Sequence, residues 1–147
     1  MKFKKFKFKK VKSTNNTAIR IIKNLNCKYG MVVSDAQSMG RGKYGKKWIS
    51  YQGNLFVSFF YELENINLSI SQLTKINCLL VKKLISKFYK KRITFKAPND
   101  LLIKGKKISG ILQEIIIKNN HKFLIIGIGI NVVKSPNIKN YPTTNLL

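Results

Sequence analysis

The stretch that decides the fold runs from Lys107 to Val132 and has the sequence KISGILQEIIIKNNHKFLIIGIGINV. Its first part is rich in isoleucine, which favours a β-strand over residues 107–118. Asn119-Asn120 predicts a turn, because asparagine tolerates the backbone of tight turns. A last strand is then predicted from Phe123 to about Val132, so that the two strands are neighbours joined by a short connection.

Outward from this pair, the chain alternates strands with two helices. Ser13-Thr14-Asn15 supplies N-cap chemistry for a helix whose apolar face carries Ala18, Ile19, Ile22 and Leu25. Ser69 and Gln72 form a capping box that opens a second helix to about Tyr89. Its predicted apolar stripe consists of Leu73, Ile76, Leu80, Leu84 and Phe88.

Further strands are predicted at residues 6–11, 29–35, 54–63, 93–96 and 101–103, with a turn at Lys104-Gly105. Residues 37–53 form a glycine-containing loop, and the chain after Val133 is loop-like. We therefore expect an α+β fold, a mixed and mostly antiparallel sheet flanked by helices. At this length the prior is a single domain over residues 1–147.

The charge balance is strongly basic. The chain of 147 residues has 29 Lys and Arg against 5 Asp and Glu, a formal net charge of +24. Such a charge can mark a nucleic-acid binder. The lysines are spread over the whole chain, however, and lysine, isoleucine and asparagine are abundant together. General compositional drift therefore explains the charge at least as well as a dedicated binding face does.

Several classes of site are excluded by what the chain lacks. A single histidine, His121, rules out a multi-histidine metal site, and its turn-like surroundings predict a solvated side chain. Cys27 and Cys78 have no metal or redox spacing and are expected to be reduced. Neither a bilayer-spanning run nor the apolar region of a signal peptide is found, so we expect a cytoplasmic protein without membrane attachment.

The clearest candidate for chemistry is the glycine loop, residues 37–53, in which Gly40, Gly42 and Gly45 alternate with basic residues. Glycine lets the backbone approach a ligand, and Arg41 and Lys43 would neutralise phosphate or carboxylate charge. The spacing matches neither a Walker A motif nor a Rossmann loop. A flexible basic loop without a ligand is the alternative.

Three later clusters carry a similar signal. Lys96 to Leu102 places a cation, a proline turn and an Asn-Asp pair together, although an ordinary turn has the same composition. Lys106 to Glu114 and Gly127 to Asn131 contain glycines inside predicted strands. Such glycines mark a close approach of a ligand or of another backbone, so Gly110, Gly127 and Gly129 predict either a pocket floor or tight strand packing.

Taken together, these motifs resemble those of the biotin–protein ligases. The chain has Ser13-Thr14-Asn15, then Gly-Arg-Gly-x-x-Gly-x-x-Trp at 40–48 and Lys-x-Pro-Asn-Asp-Leu at 96–101. Lys-x-x-Gly-Ile-Leu-x-Glu at 107–114 and Gly-Ile-Gly-Ile-Asn at 127–131 complete the family's order. The Arg-Arg-x-x-Gly-Gly loop of the related lipoate ligases is absent.

The resemblance implies an enzyme that uses ATP and Mg²⁺ to convert biotin to biotinyl-5′-adenylate. The enzyme then transfers biotin to a lysine of a biotin carboxyl carrier domain. It also implies a fold shared with the class II aminoacyl-tRNA synthetases. A homodimer is compatible with the family. The biotin carboxylate is already nucleophilic at neutral pH, so the first step needs alignment and charge stabilisation rather than a general base.

The same resemblance implies roles for individual residues. Lys96, Arg41 and Lys43 are the implied catalytic residues. The implied biotin-binding residues are Ser13, Thr14, Asn15, Gln37, Gly40, Arg41, Gly42, Lys43, Lys96 and Gly110. The implied ATP-binding residues are Arg41, Trp48, Lys96, Asn99, Lys107 and Asn131. Asp100 is implied either as a Mg²⁺ ligand or as a structural residue.

Two residues depart from the family pattern. Lys43 stands where the family usually has Arg, which loses the planar bidentate fork and predicts looser retention of the adenylate. Ala97 stands where the family usually has Trp, so we expect a neighbouring Phe or Tyr to fill the gap.

The length is a third departure. Family members usually add a C-terminal β-barrel domain, and some an N-terminal helix-turn-helix that binds DNA; we expect neither here, and hence no repressor function. A biotin- or adenylate-binding remnant without transfer activity is one alternative function. A basic RNA-binding module is the other.

Overall fold

One sheet organises the molecule in the computed structural model, which describes residues 3–147. Strands and helices follow in the order β1 (Lys4–Val11), α1 (Thr14–Asn24), β2 (Tyr29–Gln37), β3 (Leu55–Glu62), α2 (Ile70–Ile85), β4 (Ile93–Lys96), β5 (Asp100–Ile103), β6 (Lys106–Lys118) and β7 (His121–Ile130). The strand order within the sheet is β1-β2-β3-β7-β6-β5-β4. Only β1 and β2 pair in parallel among these strands, which confirms the predicted mixed, mostly antiparallel sheet.

The β6–β7 hairpin forms as predicted, with registers from Lys118 opposite His121 to Ser109 opposite Ile130. Asn119 and Asn120 make its turn with positive φ values of 49° and 63°. Because β7 pairs with β3 on one side and β6 on the other, it is the middle strand of the sheet. The hairpin therefore aligns the strands on both of its sides, β3 next to β7 and β5 next to β6.

His121 is more exposed than buried, as predicted, but it is not simply solvated. Its imidazole contacts the carboxylate of Glu62, which also accepts Lys28 Nζ at 3.2 Å. The hydrogen bond from Lys28, with a further one from His121, lowers the pKa of Glu62. The exposed side chain confirms the prediction of a solvated histidine, and the contact with Glu62 was not indicated by the sequence because β3 and β7 are neighbours only in the folded sheet.

The two helices pack against opposite faces of the sheet. Strand residues alternate between faces, and on β7 Phe123 and Ile125 join the cluster around α1, whereas Leu124 and Ile126 join the cluster around α2. The α1 cluster contains Ala18, Ile21, Ile22, Val32, Phe60, Phe123 and Ile125. The larger α2 cluster includes Cys78, Val81, Ile85, Leu101, Ile108, Ile111 and Leu124.

The capping box of α2 and the starts of both helices agree with the sequence, but part of the predicted helix packing is wrong. The Ser69–Gln72 capping box is present, yet α2 ends at Ile85 rather than near Tyr89. Its buried face is formed by Leu73, Thr74, Cys78, Val81 and Ile85. Of the predicted stripe only Leu73 is buried; the exposed fractions of Ile76, Leu80, Leu84 and Phe88 run from 43% to 83%.

The reason lies in the composition of α2, which has apolar residues on two adjacent stripes, so periodicity alone does not select the one that faces the sheet. A smaller error concerns α1, which buries Ala18, Ile21 and Ile22. The predicted Leu25 is its C-cap and is 46% exposed.

In residues 3–147, neither helix is long and apolar enough to cross a membrane.

Two adjacent residues of α2 test which stripe faces the sheet. Ile85 is 3% exposed and Leu84 is 52% exposed. We expect Ile85→Ala to lower the free energy of unfolding by about 2–5 kcal/mol, because it leaves a cavity in the core. The matched Leu84→Ala should cost less than about 1 kcal/mol. Urea denaturation of both variants gives the comparison, and equal losses would contradict the assigned packing.

The two cysteines are free, as predicted, and lie in different environments. Burial, with a smaller contribution from the charge of Asp100, raises the pKa of Cys78 to about 12. The thiol therefore stays protonated and unreactive at lower pH, because the thiolate is the reactive form. We expect a thiol reagent to modify one cysteine, Cys27, in the folded protein and both in denaturant. Fast reaction of two thiols without denaturant would contradict this placement.

Candidate ligand-binding site

The site is built on a row of residues that lie side by side across four strands. The registers pair Lys96 with Asp100, Asp100 with Gly110, and Gly110 with Gly129. Directly paired residues point to the same face of a sheet. This is the face that α1 covers, because Gly127 and Gly129 continue the alternation of Phe123 and Ile125. The glycines therefore leave a space beyond the end of the α1 cluster.

Side chains of the protein itself enter part of this space. A Cβ atom at Gly129 would lie 2.5 Å from the ring of Trp48, and one at Gly110 would lie 2.9 Å from it. A Cβ at Gly127 would lie 2.3 Å from the Asn15 amide. The three glycines thus form a floor on which Trp48 and Asn15 rest, which combines the pocket and close-packing alternatives.

One end of the site is formed by small polar side chains, and we call it the polar end: Thr14, Asn15, Gln37 and Ser58. The amide of Thr14 donates to Gln37 Oε1 at 2.8 Å, and the Thr14 hydroxyl lies 3.1 Å from the same oxygen. The Ser58 hydroxyl lies 2.8 Å from Thr14 Oγ1 and 2.5 Å from Asn15 Oδ1. Since Ser58 has one proton, it donates to only one of them, and lone pairs are left at this end.

Ser13 positions these residues from the start of α1. Its hydroxyl accepts from the Asn16 amide at 3.4 Å, so the N-cap predicted from the sequence is confirmed. Its carbonyl accepts from the hydroxyl of Thr17 at 2.9 Å. The helix start therefore holds Thr14 and Asn15 over the sheet.

Glu114 connects the glycine loop to the sheet. Arg41 donates to both of its carboxylate oxygens, at 2.8 Å and 2.7 Å, which is the bidentate geometry typical of arginine. Glu114 also accepts from Asn15 Nδ2 at 2.8 Å. Because a carboxylate only accepts hydrogen bonds, this contact orients the Asn15 amide with its oxygen toward Ser58. Arg41 therefore holds the loop next to the polar end.

The loop is closed on itself beside this contact. The amide of Trp48 donates to the carbonyl of Gly40 at 2.9 Å, and that of Gly42 donates to Lys46 at 2.7 Å. A Cβ atom at Gly40 would lie 2.5 Å from the Trp48 carbonyl, so a larger residue does not fit there. Lys43 Nζ lies 5.0 Å from the ring centre of Tyr44, a residue at the exposed tip of the loop.

The other end, which we call the cationic end, contains Lys96, Asp100, Lys107 and Tyr141. Lys107 Nζ lies 2.8 Å from Asp100 Oδ1, and the Tyr141 hydroxyl donates to Asp100 Oδ2 at 2.5 Å. Lys96 Nζ lies 4.6 Å from the centre of the Tyr141 ring, and Lys107 Nζ lies 5.4 Å from it. Burial, reinforced by the hydrogen bond to Asp100, raises the pKa of Tyr141, so its hydroxyl remains a donor.

Between the two ends runs a cavity of about 780 Å³, within the size range of small-molecule sites. It is lined by almost all of the residues that the sequence singled out: Ser13, Thr14, Asn15, Gln37, Arg41, Gly42, Lys43, Trp48, Lys96, Asn99, Asp100, Lys107, Gly110 and Asn131. Gly40 is the exception, because it is buried against the carbonyl of Trp48 and does not line the cavity. The structure therefore shows a contact of Gly40 within the loop, and its contact with a ligand stays a prediction.

Two of the residues that line the cavity, Asn99 and Asn131, also donate hydrogen bonds to backbone carbonyls. Asn99 Nδ2 donates to the carbonyl of Ile111 at 2.8 Å, which fixes the turn before β5 against β6. Asn131 is 2% exposed and donates to the carbonyl of Thr144 at 3.2 Å. Its Oδ1 atom has no hydrogen-bond partner, nor has the buried Nε1 atom of Trp48.

Sequence reasoning missed three residues that the structure brings to the site. Ser58 could have been noticed as the one polar residue within the apolar run of residues 55–60 in β3. Glu114 was seen in a cluster but was not given a partner. Tyr141 lies in residues 132–147, for which the sequence predicts no function from periodicity or motif. Its ring does lie beside Lys96, the residue next to Ala97, where an aromatic side chain was expected.

The described residues offer little for a divalent metal ion. Among residues 3–147, no three His, Cys, Asp or Glu side chains come together. Asp100, the sequence candidate, has one oxygen facing Lys107 and the other bonded to Tyr141. This arrangement fits the structural alternative for Asp100, since a metal ligand would have to give up one of these partners.

The arrangement can hold an elongated ligand with a neutral polar head and an anionic tail. Donors and acceptors at the polar end suit a head that itself has N–H and C=O groups. Lys96 and Lys107 can stabilise negative charge at the other end, whereas Arg41 is paired with Glu114 and Lys43 lies beside Tyr44 in the glycine loop. The side chains that line the cavity offer several cations but no histidine or cysteine for nucleophilic or general-base chemistry.

Comparison with known proteins agrees with this geometry. Residues 7–131 match the model of the biotin/lipoate A/B protein ligase family. The bifunctional ligase/repressor BirA of Bacillus subtilis is 35% identical over 127 residues, which are 85% of this chain and 39% of that protein. The chain thus spans about two-fifths of the length of the curated relative it matches.

Solved structures show the same similarity. The biotin protein ligase of Aquifex aeolicus in complex with biotin and ATP superposes with a TM-score of 0.80 at 32% identity, over 97% of this chain and 59% of that one. The biotin protein ligase of Leishmania major in complex with biotinyl-5-AMP has a TM-score of 0.82 at 24% identity, over 99% and 64%. The latter similarity shows the shared fold.

The contact between Gly129 and Trp48 can be tested directly, because Trp48 is the one tryptophan of the chain. In Gly129→Ala the new methyl group would overlap the indole ring, so the ring must move away from the sheet. We expect the tryptophan emission to shift to the red. Ile117→Ala, at an exposed position of β6, is the control and should leave the spectrum unchanged. An unshifted Gly129→Ala spectrum would contradict the predicted overlap.

Proposed function

Because the chain belongs to the biotin/lipoate A/B protein ligase family, we propose that its cavity binds biotin and ATP and joins them as biotinyl-5′-adenylate. Biotin is then transferred to a lysine of a carboxyl carrier domain. The observation that carries the proposal is the continuous cavity between the polar end and the cationic end. A cyclic urea with a carboxylate tail has matching groups at both ends.

The polar end favours biotin over lipoate as the substrate. The urea ring of biotin has two N–H donors and one carbonyl acceptor, and Thr14, Asn15 and Gln37, which line the cavity, offer partners for both kinds of group. Ser58 lies behind them and contacts Thr14 and Asn15. The dithiolane ring of lipoate has neither, so it would leave buried polar groups unpaired. An unpaired buried polar group costs about 1–3 kcal/mol, which is sufficient to discriminate the two ligands.

The first chemical step requires no base from the protein. A carboxylate oxygen of biotin attacks the α-phosphorus of ATP, the bond to the β-phosphate oxygen breaks, and pyrophosphate leaves. Lys96 and Lys107 stabilise the negative charge that gathers on the α-phosphate, and Arg41 and Lys43 approach from the glycine loop. In the second step the lysine amine of the carrier attacks the acyl carbon and AMP leaves.

The nucleotide would occupy the part of the cavity next to Trp48. The indole ring rests on Gly110 and Gly129 and has one face toward Lys107, whose Nζ atom is 5.3 Å from the ring centre. Asn131 contributes an unpartnered buried oxygen nearby that could accept a hydrogen bond. Mg²⁺, which the proposal includes as a companion of ATP, would be held mainly by the phosphates, as is usual for this ion.

A basic RNA-binding module remains the second candidate because of the net charge of +24. Electrostatic binding to phosphate backbones weakens steeply as salt rises. RNA binding that survives moderate salt and competes with biotinyl-5′-adenylate would favour this candidate.

Lys96→Ala tests the proposal. With ATP, biotin and a carrier domain, we expect the unaltered protein to attach biotin covalently and Lys96→Ala to give no detectable product. Lys90→Ala removes the same charge at an exposed position away from the cavity and is the matched control. Adenylate formation without transfer would instead identify a binding remnant. Full activity of Lys96→Ala would refute the assignment of the site.

Lys43 provides a test of adenylate retention. Lysine keeps the charge of the usual arginine but cannot make the bidentate contact, so the intermediate should leave the site quickly. We expect Lys43→Arg to slow the release of biotinyl-5′-adenylate by about tenfold, which corresponds to about 1.4 kcal/mol. A single-turnover assay that separates bound from released adenylate measures this rate. Tight retention by the unaltered protein would overturn the expectation.

A further inference from the structure

The segment after β7, residues 131–147, returns toward the start of β6 and contributes residues that line the cavity. Lys107 fixes it by two backbone hydrogen bonds: its amide donates to Pro142 at 2.9 Å, and its carbonyl accepts from Thr144 at 2.9 Å. Asn54 fixes the start, because its Oδ1 atom accepts from the amides of Val132 and Val133 at 3.0 Å and 2.9 Å. Tyr141 is thereby held beside the cavity.

Three charged groups meet at the Tyr141 side chain. The ammonium groups of Lys96 and Lys107 lie 4.6 Å and 5.4 Å from the centre of its ring. Its hydroxyl donates to Asp100 at 2.5 Å, and the other oxygen of Asp100 faces Lys107 at 2.8 Å. The cation contacts are within the distance at which the ring quadrupole attracts an ammonium group.

We infer that Tyr141 is a positioning residue of the adenylation site, which holds the ammonium groups of Lys96 and Lys107 where carboxylate and α-phosphate must meet. The inference rests on the proposed function. Lys96 comes from the end of β4 and Lys107 from the start of β6. Two like charges directed at one place repel each other. The ring attracts both ammonium groups. A second carboxylate would compete with the anionic substrate for these groups, and the uncharged ring does not.

The hydroxyl has a separate effect through Asp100. By donating to one carboxylate oxygen, it orients the other toward Lys107. The ring and the hydroxyl therefore act on the same ammonium group by different contacts. Removing the hydroxyl alone should matter less than removing the ring, because the ring contacts both lysines and the hydroxyl reaches only one of them indirectly.

This positioning predicts which kinetic quantity changes. Biotin binds through its urea ring at the polar end, remote from Tyr141, so its affinity should stay within about twofold when the ring is lost. The rate of adenylate formation should fall by about tenfold. Negative charge gathers on the α-phosphate in the transition state, so displacing the two ammonium groups reduces the stabilisation of the transition state more than it weakens the binding of biotin. A merely structural role would change both quantities together or would change only the melting temperature.

The experiment compares Tyr141→Leu with Tyr141→Phe in the full chain. Single-turnover formation of biotinyl-5′-adenylate gives the rate, calorimetry gives the affinity for biotin, and thermal melting reports folding. We expect Tyr141→Leu to lose about tenfold in rate and Tyr141→Phe to stay within about threefold of the unaltered protein. Tyr141→Met, a second aliphatic variant, replaces Tyr141→Leu should that protein fail to fold.

Tyr51 supplies a matched control. Lys134 Nζ lies 4.5 Å from the centre of the Tyr51 ring, so this tyrosine makes the same type of contact with the same returning segment. Neither residue lines the cavity. Tyr51→Leu should therefore leave the rate of adenylate formation unchanged, and an equal loss in this variant would show that only anchoring of the segment matters, which would overturn the inference.

The remaining outcomes are also decisive. An unchanged rate in a folded Tyr141→Leu protein overturns the inference and leaves the proposed function intact. Equal losses in Tyr141→Phe and Tyr141→Leu show that the ring does not position the lysines, and likewise overturn it. Absence of adenylate from the unaltered protein with biotin and ATP is the separate result that refutes the proposed function, and the inference with it.

Discussion

The site depends on the alternation of side chains along β7. Phe123 and Ile125 point toward α1 and fill the core on that face, and the next two residues with the same direction are Gly127 and Gly129. The strand thus changes from core to cavity floor without any interruption of its pairing with β3 and β6. The cavity exists because two consecutive positions of one face have no side chains, while the opposite face continues to be packed against α2.

The few acidic residues have a larger effect than their number suggests. With 5 acids against 29 lysines and arginines, most cations have no partner to hold them in place. Glu114 fixes Arg41 of the glycine loop, and Asp100 fixes Lys107. Both acids lie next to the glycine floor, since Asp100 pairs with Gly110 across the strands. Arg41 and Lys107 are therefore held in place by acids, whereas Lys43 and Lys96 lie beside tyrosine rings.

Much of the fold was predictable because its signals are local. The strands, the turn at Asn119-Asn120 and the Ser69 capping box depend on residues close together in the chain. The packing of α2 was not predictable in the same way, because both of its stripes are apolar and the sheet selects one. Ser58 and Tyr141 were missed for a related reason: each becomes meaningful only through partners 41 to 44 residues away.

The sequence by itself determined the order of strands and helices along the chain, the family to which the motifs point, and a set of site residues of which all but Gly40 line the cavity. These follow from side-chain periodicity and from short motifs whose members are close in sequence. Only the tertiary structure decided that Glu114 holds Arg41, that Trp48 rests on Gly110 and Gly129, and that Tyr141 joins Lys96 to Lys107. Those contacts depend on strand register and on a returning segment, and both are fixed by packing between parts of the chain that no local pattern connects.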